Sequence, residues 1–336
     1  MNLKNKKVAI TGASFIGSHL IGELIKKQVA SIRVINLTKK HFSIIKPYSS
    51  NIELLTADLR DLVTTKKYFR KIDVVFHLAA NHGGRGYVNK YQADTATNFL
   101  LDGSVFLAAL KENIDKIFYA SSGCVYPNYL QTDTRKAIFL KETDVKTPYD
   151  ADNMYGWAKL MGELTLKNYY LEYGLKSAIA RFFTVYGEEA HESHAVIGSI
   201  AKAFIGQDPY KIWGDGHQIR NWTYVQDIVG GIILATENID NATAINLGTQ
   251  ERIKVNKMVK LIFKYVDFKP KLIKYLTRMP TGPINRVADI SMADKILGWK
   301  PKYRFEEGLK KTVNWYIKSK NKAKIKTNLE KLLMGK

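Results

Sequence analysis

A tyrosine and a lysine four residues apart, Tyr155 and Lys159 in the stretch YGWAK, form a pair that can transfer protons. Residues at this spacing share one face of a helix. An ammonium beside a phenol favours the phenolate and lowers the phenol's pKa, which makes it an acid or base near neutral pH. The spacing recurs in YVDFK (Tyr265) and YIKSK (Tyr316), but only Tyr155 begins a long helical pattern after an apolar run ending in serines.

Small and polar residues follow three other apolar runs, where α/β proteins bind ligands. Gly12 and Gly17 in ITGASFIGSHL stand one residue closer together than the outer glycines of a TGxxGxxG loop. HLAA and YASSGCVY also end apolar runs, and the second carries Ser122 and Cys124. Asp58 in LTADLRDL has two open interpretations, an adenine contact or an N-cap for the next helix. Each of these signals is weak when taken alone.

The elements that must position these residues are β-rich runs alternating with helical patterns. The predicted strands are KVAIT, SIRVINL, NIELLTAD, DVVFHLAA, KIFYASS and SAIARFF, and the longest helices are predicted at about 94–112 and 155–173. This alternation predicts an α/β fold with a doubly wound parallel sheet, Rossmann-like, and right-handed crossovers. Ligands bind beyond the carboxyl ends of such strands, so the glycine loop, HLAA and YASSG are expected to converge.

The pattern breaks into shorter pieces after about residue 186, which predicts a smaller C-terminal substrate-binding domain. We expect a dinucleotide-binding domain over 1–185 and a mainly substrate-binding domain over 186–316. Residues from about 223–248 are expected to return to the first domain. The remaining residues, 317–336, form a charged C-terminal tail, either helical or frayed.

Composition restricts the class of protein. A chain of 336 residues with 46% apolar content is typical of a globular protein. The net charge of +21 is spread over every segment, which compositional bias explains, and no zinc-finger, helix-turn-helix or RNA-binding pattern occurs, so we expect neither a metal nor a nucleic-acid partner. No apolar stretch approaches the roughly 20 residues of a membrane span. The single cysteine and the absence of a signal peptide predict a cytoplasmic location.

As an ensemble, the motifs resemble the extended short-chain dehydrogenases/reductases, the NAD(P)-dependent nucleotide-sugar epimerases and dehydratases. TGxxxFIGSHL, ADLRD, HLAA, YASSGCVY, YGWAK, RFFTVYG, WGDGHQIRNWTYVQD and LGWKP occur in that family's order over about 6–316. The resemblance implies NAD or NADP as cofactor, a nucleotide-sugar substrate and a homodimer. It also implies that ITGASFIGSHL is a dinucleotide loop with one residue deleted, still presenting backbone N–H groups to a pyrophosphate.

The resemblance assigns roles to individual residues. Tyr155 would exchange a proton with a sugar hydroxyl while the nicotinamide exchanges hydride at the same carbon, Ser122 would hydrogen-bond that oxygen, and Lys159 would hold the nicotinamide ribose. The expected cofactor-binding residues are Gly12, Ser14, Phe15, Ile16, Gly17, Asn36, Asp58, Leu59, Leu78, Ala79, Ala80, Asn98, Tyr155 and Lys159. Asn36 stands where relatives carry the acidic residue that selects NAD. Lysines follow it, so NADP stays open and NAD is preferred.

The residue at position 124 helps to distinguish the subfamilies that the chain resembles. Gly123 and Cys124 replace the Asp-Glu pair of 4,6-dehydratases, and YASSGCVYP resembles GDP-mannose 3,5-epimerases and GDP-fucose synthases, where a cysteine works with a lysine or histidine. The second position here is His194 in HESHAVIG. The pair would invert C3 and/or C5 beside a transient C4 ketone. The alternative is that Cys124 only packs and His194 lies on the surface.

Substrate contacts are expected from a glycine-rich loop and two arginines. NHGGRGY resembles the 3,5-epimerase substrate loop, which makes His82, Gly84 and Arg85 candidates for the sugar. Arg220 and Arg286 are candidates for the diphosphate, because guanidinium groups bind phosphate in bidentate fashion. Three other functions stay open: a C4 epimerase using only the serine, tyrosine and lysine, an NADPH-consuming epimerase-reductase of the GDP-fucose synthase type, and a non-catalytic or RNA-binding member of the fold.

Overall fold

The computed structural model describes residues 1–45 and 51–334, and a parallel sheet forms the centre of the fold. The strands in these ranges are β1 (Lys7–Thr11), β2 (Ser31–Asn36), β3 (Ile52–Thr56), β4 (Val74–His77), β5 (Lys116–Ser122), β6 (Ser177–Phe182), β7 (Val185–Tyr186), β8 (Tyr210–Trp213), β9 (Ile219–Arg220), β10 (Thr223–Tyr224), β11 (Asn241–Leu247), β12 (Ile253–Lys254), β13 (Ile273–Leu276) and β14 (Asn285–Arg286). The central sheet has the order β11-β6-β5-β4-β1-β2-β3, and all its pairs are parallel.

Helices cover both faces of the sheet. They are α1 (Phe15–Lys26), α2 (Phe42–Ile45), α3 (Leu62–Phe69), α4 (Arg85–Lys90), α5 (Gln92–Ala96), α6 (Asn98–Lys111), α7 (Asn153–Tyr173), α8 (Ala195–Phe204), α9 (Val225–Asn238), α10 (Val255–Val266), α11 (Ser291–Leu297), α12 (Phe305–Ser319) and α13 (Lys322–Leu333). Val74 and Phe76 of β4 belong to the core that contains α1 and α9, whereas Val75 belongs to the core that contains α3, α6 and α7. Burial on both faces explains the continuous apolar runs and confirms the doubly wound α/β fold.

Two helices differ from their predicted bounds. The helix expected over about 94–112 is divided into α5 and α6 at Thr97. The helix expected from Tyr155 begins at Asn153 and ends as predicted at Tyr173, because Gly174 adopts φ +71° and stops it. Tyr155 therefore lies in the first turn of α7, which starts at the carboxyl edge of the sheet.

The second half of the chain contributes to both parts of the molecule. β11 pairs with β6 at the edge of the central sheet, so residues 241–247 lie with the first domain. The short sheets β8–β13 and β9–β12–β14 lie apart from the central sheet. The exact domain boundaries stay a prediction. Among the described residues, no helix combines the length and the apolar composition that a bilayer crossing requires.

The charged tail forms a helix that packs against the second domain. α13 buries Ile325, Leu329 and Leu333, which share one helical face, and the last two residues of the chain lie outside the described range. Gly198 of α8 has no room for a Cβ, which would meet a methyl group of Leu333 at 2.9 Å. In the same way, a Cβ on Gly86 of α4 would meet the sulfur of Met334 and the Trp213 ring.

The glycine loop is closed by a backbone contact. Gly12 adopts φ +75°, and a Cβ there would lie 2.4 Å from Cα and 2.6 Å from the backbone nitrogen of Ala79. The loop after β1 therefore rests directly on the HLAA segment after β4. This contact shows that the two segments converge, and it requires a glycine for both conformation and space.

Replacing Gly12 by alanine should lower the free energy of unfolding by at least about 1–2 kcal/mol, because a left-handed conformation alone costs that much for a residue with a Cβ. Gly230→Ala on α9 is the matched control, since no atom lies within 4 Å of the added methyl group, and it should be neutral or stabilising. Urea-induced unfolding measures both variants. Equal stability of the two would contradict the close contact between Gly12 and Ala79.

Candidate active site

A cavity of about 550 Å³ lies where the carboxyl ends of the sheet strands meet the second domain. It brings together most of the residues that the sequence indicates for function: Gly12, Ser14, Phe15, Ile16, Leu78, Ala80, His82, Gly84, Arg85, Ser122, Cys124, Tyr155, Lys159, His194, Arg220 and Arg286. Gly17, Asn36, Asp58, Leu59, Ala79 and Asn98 are not part of its lining. The cavity is the candidate active site.

Ser122 and Tyr155 are neighbours in the cavity lining. Ser122 ends β5, and Tyr155 comes from the first turn of α7. Burial raises the pKa of Tyr155, and the neighbouring Cys124 and Asp102 add to this rise, while the bond to Ser122 opposes it. The direction is opposite to the one expected from the YGWAK spacing. A physical reason is the position of the Lys159 ammonium. It lies 4.5 Å over the ring of Tyr119 and 3.9 Å from the Asp102 carboxylate.

Several buried side-chain polar atoms have no hydrogen-bond partner among the described residues, and two of them fit a dinucleotide. One is Nζ of Lys159. The other is Oδ1 of Asn36, whose amide nitrogen donates to the Ala13 carbonyl at 3.0 Å. Buried polar groups are normally satisfied, so an unpartnered group at or beside a ligand site indicates that the ligand supplies its partner. Lys159 lines the cavity, whereas Asn36 lies behind the lining, against the glycine loop. Ribose hydroxyls can supply such partners, and the Gly12 loop allows a close backbone approach.

Three expected cofactor residues have other contacts. Asp58 lies on the surface and pairs with Arg60 at 2.5 Å, which lowers its pKa, and Asp61 rather than Asp58 caps α3. Leu59 is buried in the core beneath α3. Asn98 accepts a hydrogen bond from the backbone N–H of Asn81 at 2.7 Å and donates to its carbonyl at 2.9 Å. Asn98 therefore fixes the loop that leads to Gly84, and a cofactor contact by these residues stays a prediction.

Positive charge accumulates on the second-domain side of the cavity. Arg286 donates to the Cys124 sulfur at 3.2 Å and to Asp152 at 3.0 Å, and Arg85 donates to both oxygens of Asp152 at 2.7 and 3.1 Å. Burial, together with the charges of Arg286 and Arg85, lowers the pKa of Arg220 to about 9. Two guanidinium groups thus pair with one carboxylate, while that of Arg220 donates to the backbone carbonyls of Ile219 and Thr281. An anion entering the cavity would relieve the repulsion among the three.

Two histidines stand beside the tyrosine. The His82 ring lies 6.3 Å from the Tyr155 ring and 5.8 Å from the His194 ring, measured between centroids. Burial lowers the pKa of His194 to about 3, with the neighbouring His82 and then His191 adding to the effect. Burial also lowers the pKa of His82, to about 4. Both imidazoles are therefore neutral near pH 7 and can accept a proton.

Several residues in or beside the cavity are not among the site residues expected from the sequence. Asp152 lies outside the cavity lining but pairs with Arg85 and Arg286, and its place just before the predicted helix was the only available signal. Trp213 and Lys202 line the second-domain side, where burial lowers the pKa of Lys202 to about 8. Leu333 of α13 lines the same wall. The sequence predicted only a charged tail here and no contact with the cavity.

The chain was compared with known proteins. It is 30% identical to GDP-mannose 3,5-epimerase from Arabidopsis thaliana over 96% of this chain and 85% of that protein. It is 34% identical to a putative UDP-glucose 4-epimerase from Methanocaldococcus jannaschii over 93% and 98%. The crystal structure of UDP-glucose 4-epimerase from Thermotoga maritima with UDP-glucose matches with a TM-score of 0.83 at 27% identity, covering 93% and 99%.

The family model described as "NAD dependent epimerase/dehydratase family" matches residues 8–248. This range contains the glycine loop, the serine, tyrosine and lysine, Cys124 and the histidine segment. The match agrees with the motif order and with the cavity that gathers those motifs. The chain belongs to the NAD-dependent epimerase/dehydratase family.

Proposed function

We propose that this chain is a nucleotide-sugar epimerase that oxidises C4 transiently and inverts C3 and/or C5. The observation that carries the proposal is the presence of Cys124 and His194 in the same cavity as Tyr155. A C4 epimerase needs only the serine, tyrosine and lysine. A thiol and a neutral imidazole in that cavity are the groups that proton exchange at a neighbouring carbon requires.

When bound, the dinucleotide supplies the hydride acceptor and donor for the sugar carbon. The residues placed to hold it are Lys159, Asn36 and the backbone of the Gly12 loop. In the enzyme loaded with cofactor, Tyr155 acts as the phenolate, a form that a neighbouring positive charge favours, and takes the proton of the C4 hydroxyl. Ser122 hydrogen-bonds the oxygen that remains. Once C4 is a ketone, neutral His194 removes a proton from the adjacent carbon, and the Cys124 thiol returns one on the other face. Arg220 and Arg286 bind the diphosphate.

Asn36 supports NAD over NADP in this proposal. Its amide nitrogen is used by Ala13, so its free atom is an acceptor. A ribose hydroxyl can donate to that oxygen, whereas a 2′-phosphate offers only acceptors at neutral pH. A functional thiol at Cys124, the only cysteine of the chain, also suits the reducing cytoplasm.

Tyr155→Phe should reduce turnover by roughly two to four orders of magnitude, the usual contribution of a general acid-base group. Nuclear magnetic resonance of a panel of nucleotide sugars incubated with the enzyme measures turnover. Tyr265→Phe is the matched control, because Tyr265 repeats the YxxxK spacing on the surface and donates only to Glu306. Tyr316 is a poorer control, since its buried hydroxyl donates to Glu192, next to the histidine segment. Equal activity of the Tyr155 and Tyr265 variants would contradict the assignment.

Cys124→Ser should slow net inversion by about a hundredfold or more, because a hydroxyl is a much weaker acid than a thiol and cannot return the proton on the second face, while His194 can still exchange deuterium on the original face. Oxidation at C4, which depends on Tyr155, should survive. Reactions in D2O followed by nuclear magnetic resonance report deuterium at C3 and C5. Wild-type interconversion of C4 epimers without deuterium uptake, and a silent Cys124→Ser, would favour the C4 epimerases to which the chain is also similar.

The partner substitution His194→Asn should abolish both deuterium entry and inversion, because it removes the base, and His217→Asn, at an exposed histidine, should have no effect. Because the pKa of His194 is lowered to about 3, its base form persists as the pH falls. The exchange rate should therefore show no loss due to His194 between about pH 8 and pH 5. Full inversion by His194→Asn would exclude this histidine from the reaction.

An apolar patch supports the expected homodimer. We define it by Phe99 and Leu100 of α6 and Trp157 and Met161 of α7, all of which are exposed. The two helices pack against each other, and the outward side of α6 carries no charged residue before Lys111. A helix that is apolar all round is normally covered. We propose that a second copy of this chain covers the patch.

Met161→Asp should convert the dimer into monomers, because dimerisation would bury an unpaired carboxylate. Ile317→Asp, which places the same charge on an equally exposed apolar residue of α12, should leave the dimer intact. Analytical ultracentrifugation at micromolar concentration measures both masses. A monomeric wild type, or a dimeric Met161→Asp variant, would overturn the proposed interface.

A further inference from the structure

A buried carboxylate that no motif singled out lies beneath the catalytic tyrosine and lysine. Asp102 of α6 is only 3% exposed. It accepts hydrogen bonds from the Tyr119 hydroxyl at 2.5 Å and from Nε2 of His77 at 2.9 Å. Its second oxygen also lies 3.9 Å from Nζ of Lys159.

The hydrogen bonds around His77 assign its proton. A carboxylate cannot donate, so Nε2 of His77 carries the hydrogen that reaches Asp102. Nδ1 is then the acceptor for the Thr11 hydroxyl at 2.7 Å, and the Thr11 oxygen in turn accepts from the Ala79 N–H at 3.3 Å. Burial lowers the pKa of His77, in agreement with a neutral ring. The chain of bonds therefore holds the carboxylate in place without neutralising it.

The other charges near Lys159 are already paired or neutral. Glu163, one turn further along α7, forms a bidentate pair with Arg181, with a closest distance of 2.7 Å. Tyr119 on β5, Tyr155 on α7 and His82 in the loop after β4 are uncharged at neutral pH, as their pKa shifts indicate. Among the described residues, Lys159 is thus the cation left to balance Asp102.

We propose that Asp102 is a positioning residue, the counter-ion that keeps Lys159 protonated inside the buried site. Lys159 has a buried ammonium with no hydrogen-bond partner, and an uncompensated lysine in such surroundings is expected to lose its proton near pH 5–6. Asp102 opposes that loss at a distance at which opposite charges act strongly. The ammonium then stays available to donate to ribose hydroxyls. The inference rests on the proposed role of Lys159, but not on which carbon is inverted.

The test follows the Lys159 side chain in the cofactor-free protein. Lysine labelled with carbon-13 reports protonation through the Cε chemical shift, and the loss of one signal in Lys159→Arg identifies the residue. Asp102→Asn should lower the titration midpoint of Lys159 by about one pH unit or more. The alkaline limb of cofactor affinity, measured by calorimetry, should move to lower pH by a similar amount.

Tyr119→Phe is the matched control, because it removes one hydrogen bond to Asp102 and keeps both the charge and the ring beneath Lys159. Its Lys159 midpoint should stay near the wild-type value. If Asp102→Asn does not fold, the wild-type titration decides: Lys159 still protonated at about pH 8 supports the proposal, and Lys159 neutral at that pH overturns it. An unchanged midpoint in Asp102→Asn also overturns it. Both readouts are independent of turnover, so a failed epimerase assay leaves them interpretable.

Discussion

The shared carboxylate of Asp152 is the contact on which the active site depends. It lies immediately before α7, so it fixes the start of the helix that carries Tyr155. It pairs with Arg85 from the loop after β4 and with Arg286 from β14 of the second domain. Arg286 then reaches Cys124 after β5. One acidic side chain therefore ties three segments of the first domain to the second domain. Loss of the Asp152 carboxylate would leave buried guanidinium groups unpaired, which would lower the free energy of unfolding.

The two ends of the cavity differ in their balance of charge. On the sheet side, charges are balanced in pairs, and neutral hydrogen-bonding groups fill the remaining space. On the second-domain side, the guanidinium groups outnumber the carboxylate between them. A substrate with an uncharged sugar and an anionic diphosphate matches this division. Under the proposed function, this distribution orients the substrate as well as binding it.

The sequence predicts the central sheet and the gathering of its motifs well, because apolar runs and strand-end chemistry are local signals and parallel strands bring their carboxyl ends together. It could not predict the direction of the Tyr155 pKa shift, since that depends on where Lys159 points. Asp102 was missed for the same reason: an aspartate in an apolar helix reveals its role only when His77, Tyr119 and Lys159 surround it. The split of the helix at Thr97 and the core position of Leu59 depend on tertiary packing and leave no clear trace in the sequence.

The packing of α13 has a consequence for how such a protein diversifies. Leu333 and Met334 contact α8, α4 and Trp213, yet they stand far beyond residues 8–248, which define the family match. Changes near the end of the chain can therefore reshape one wall of the cavity while every residue that handles protons stays in place. In this protein α13 offers evolution, or an engineer, a way to alter the shape of the cavity that leaves those residues untouched.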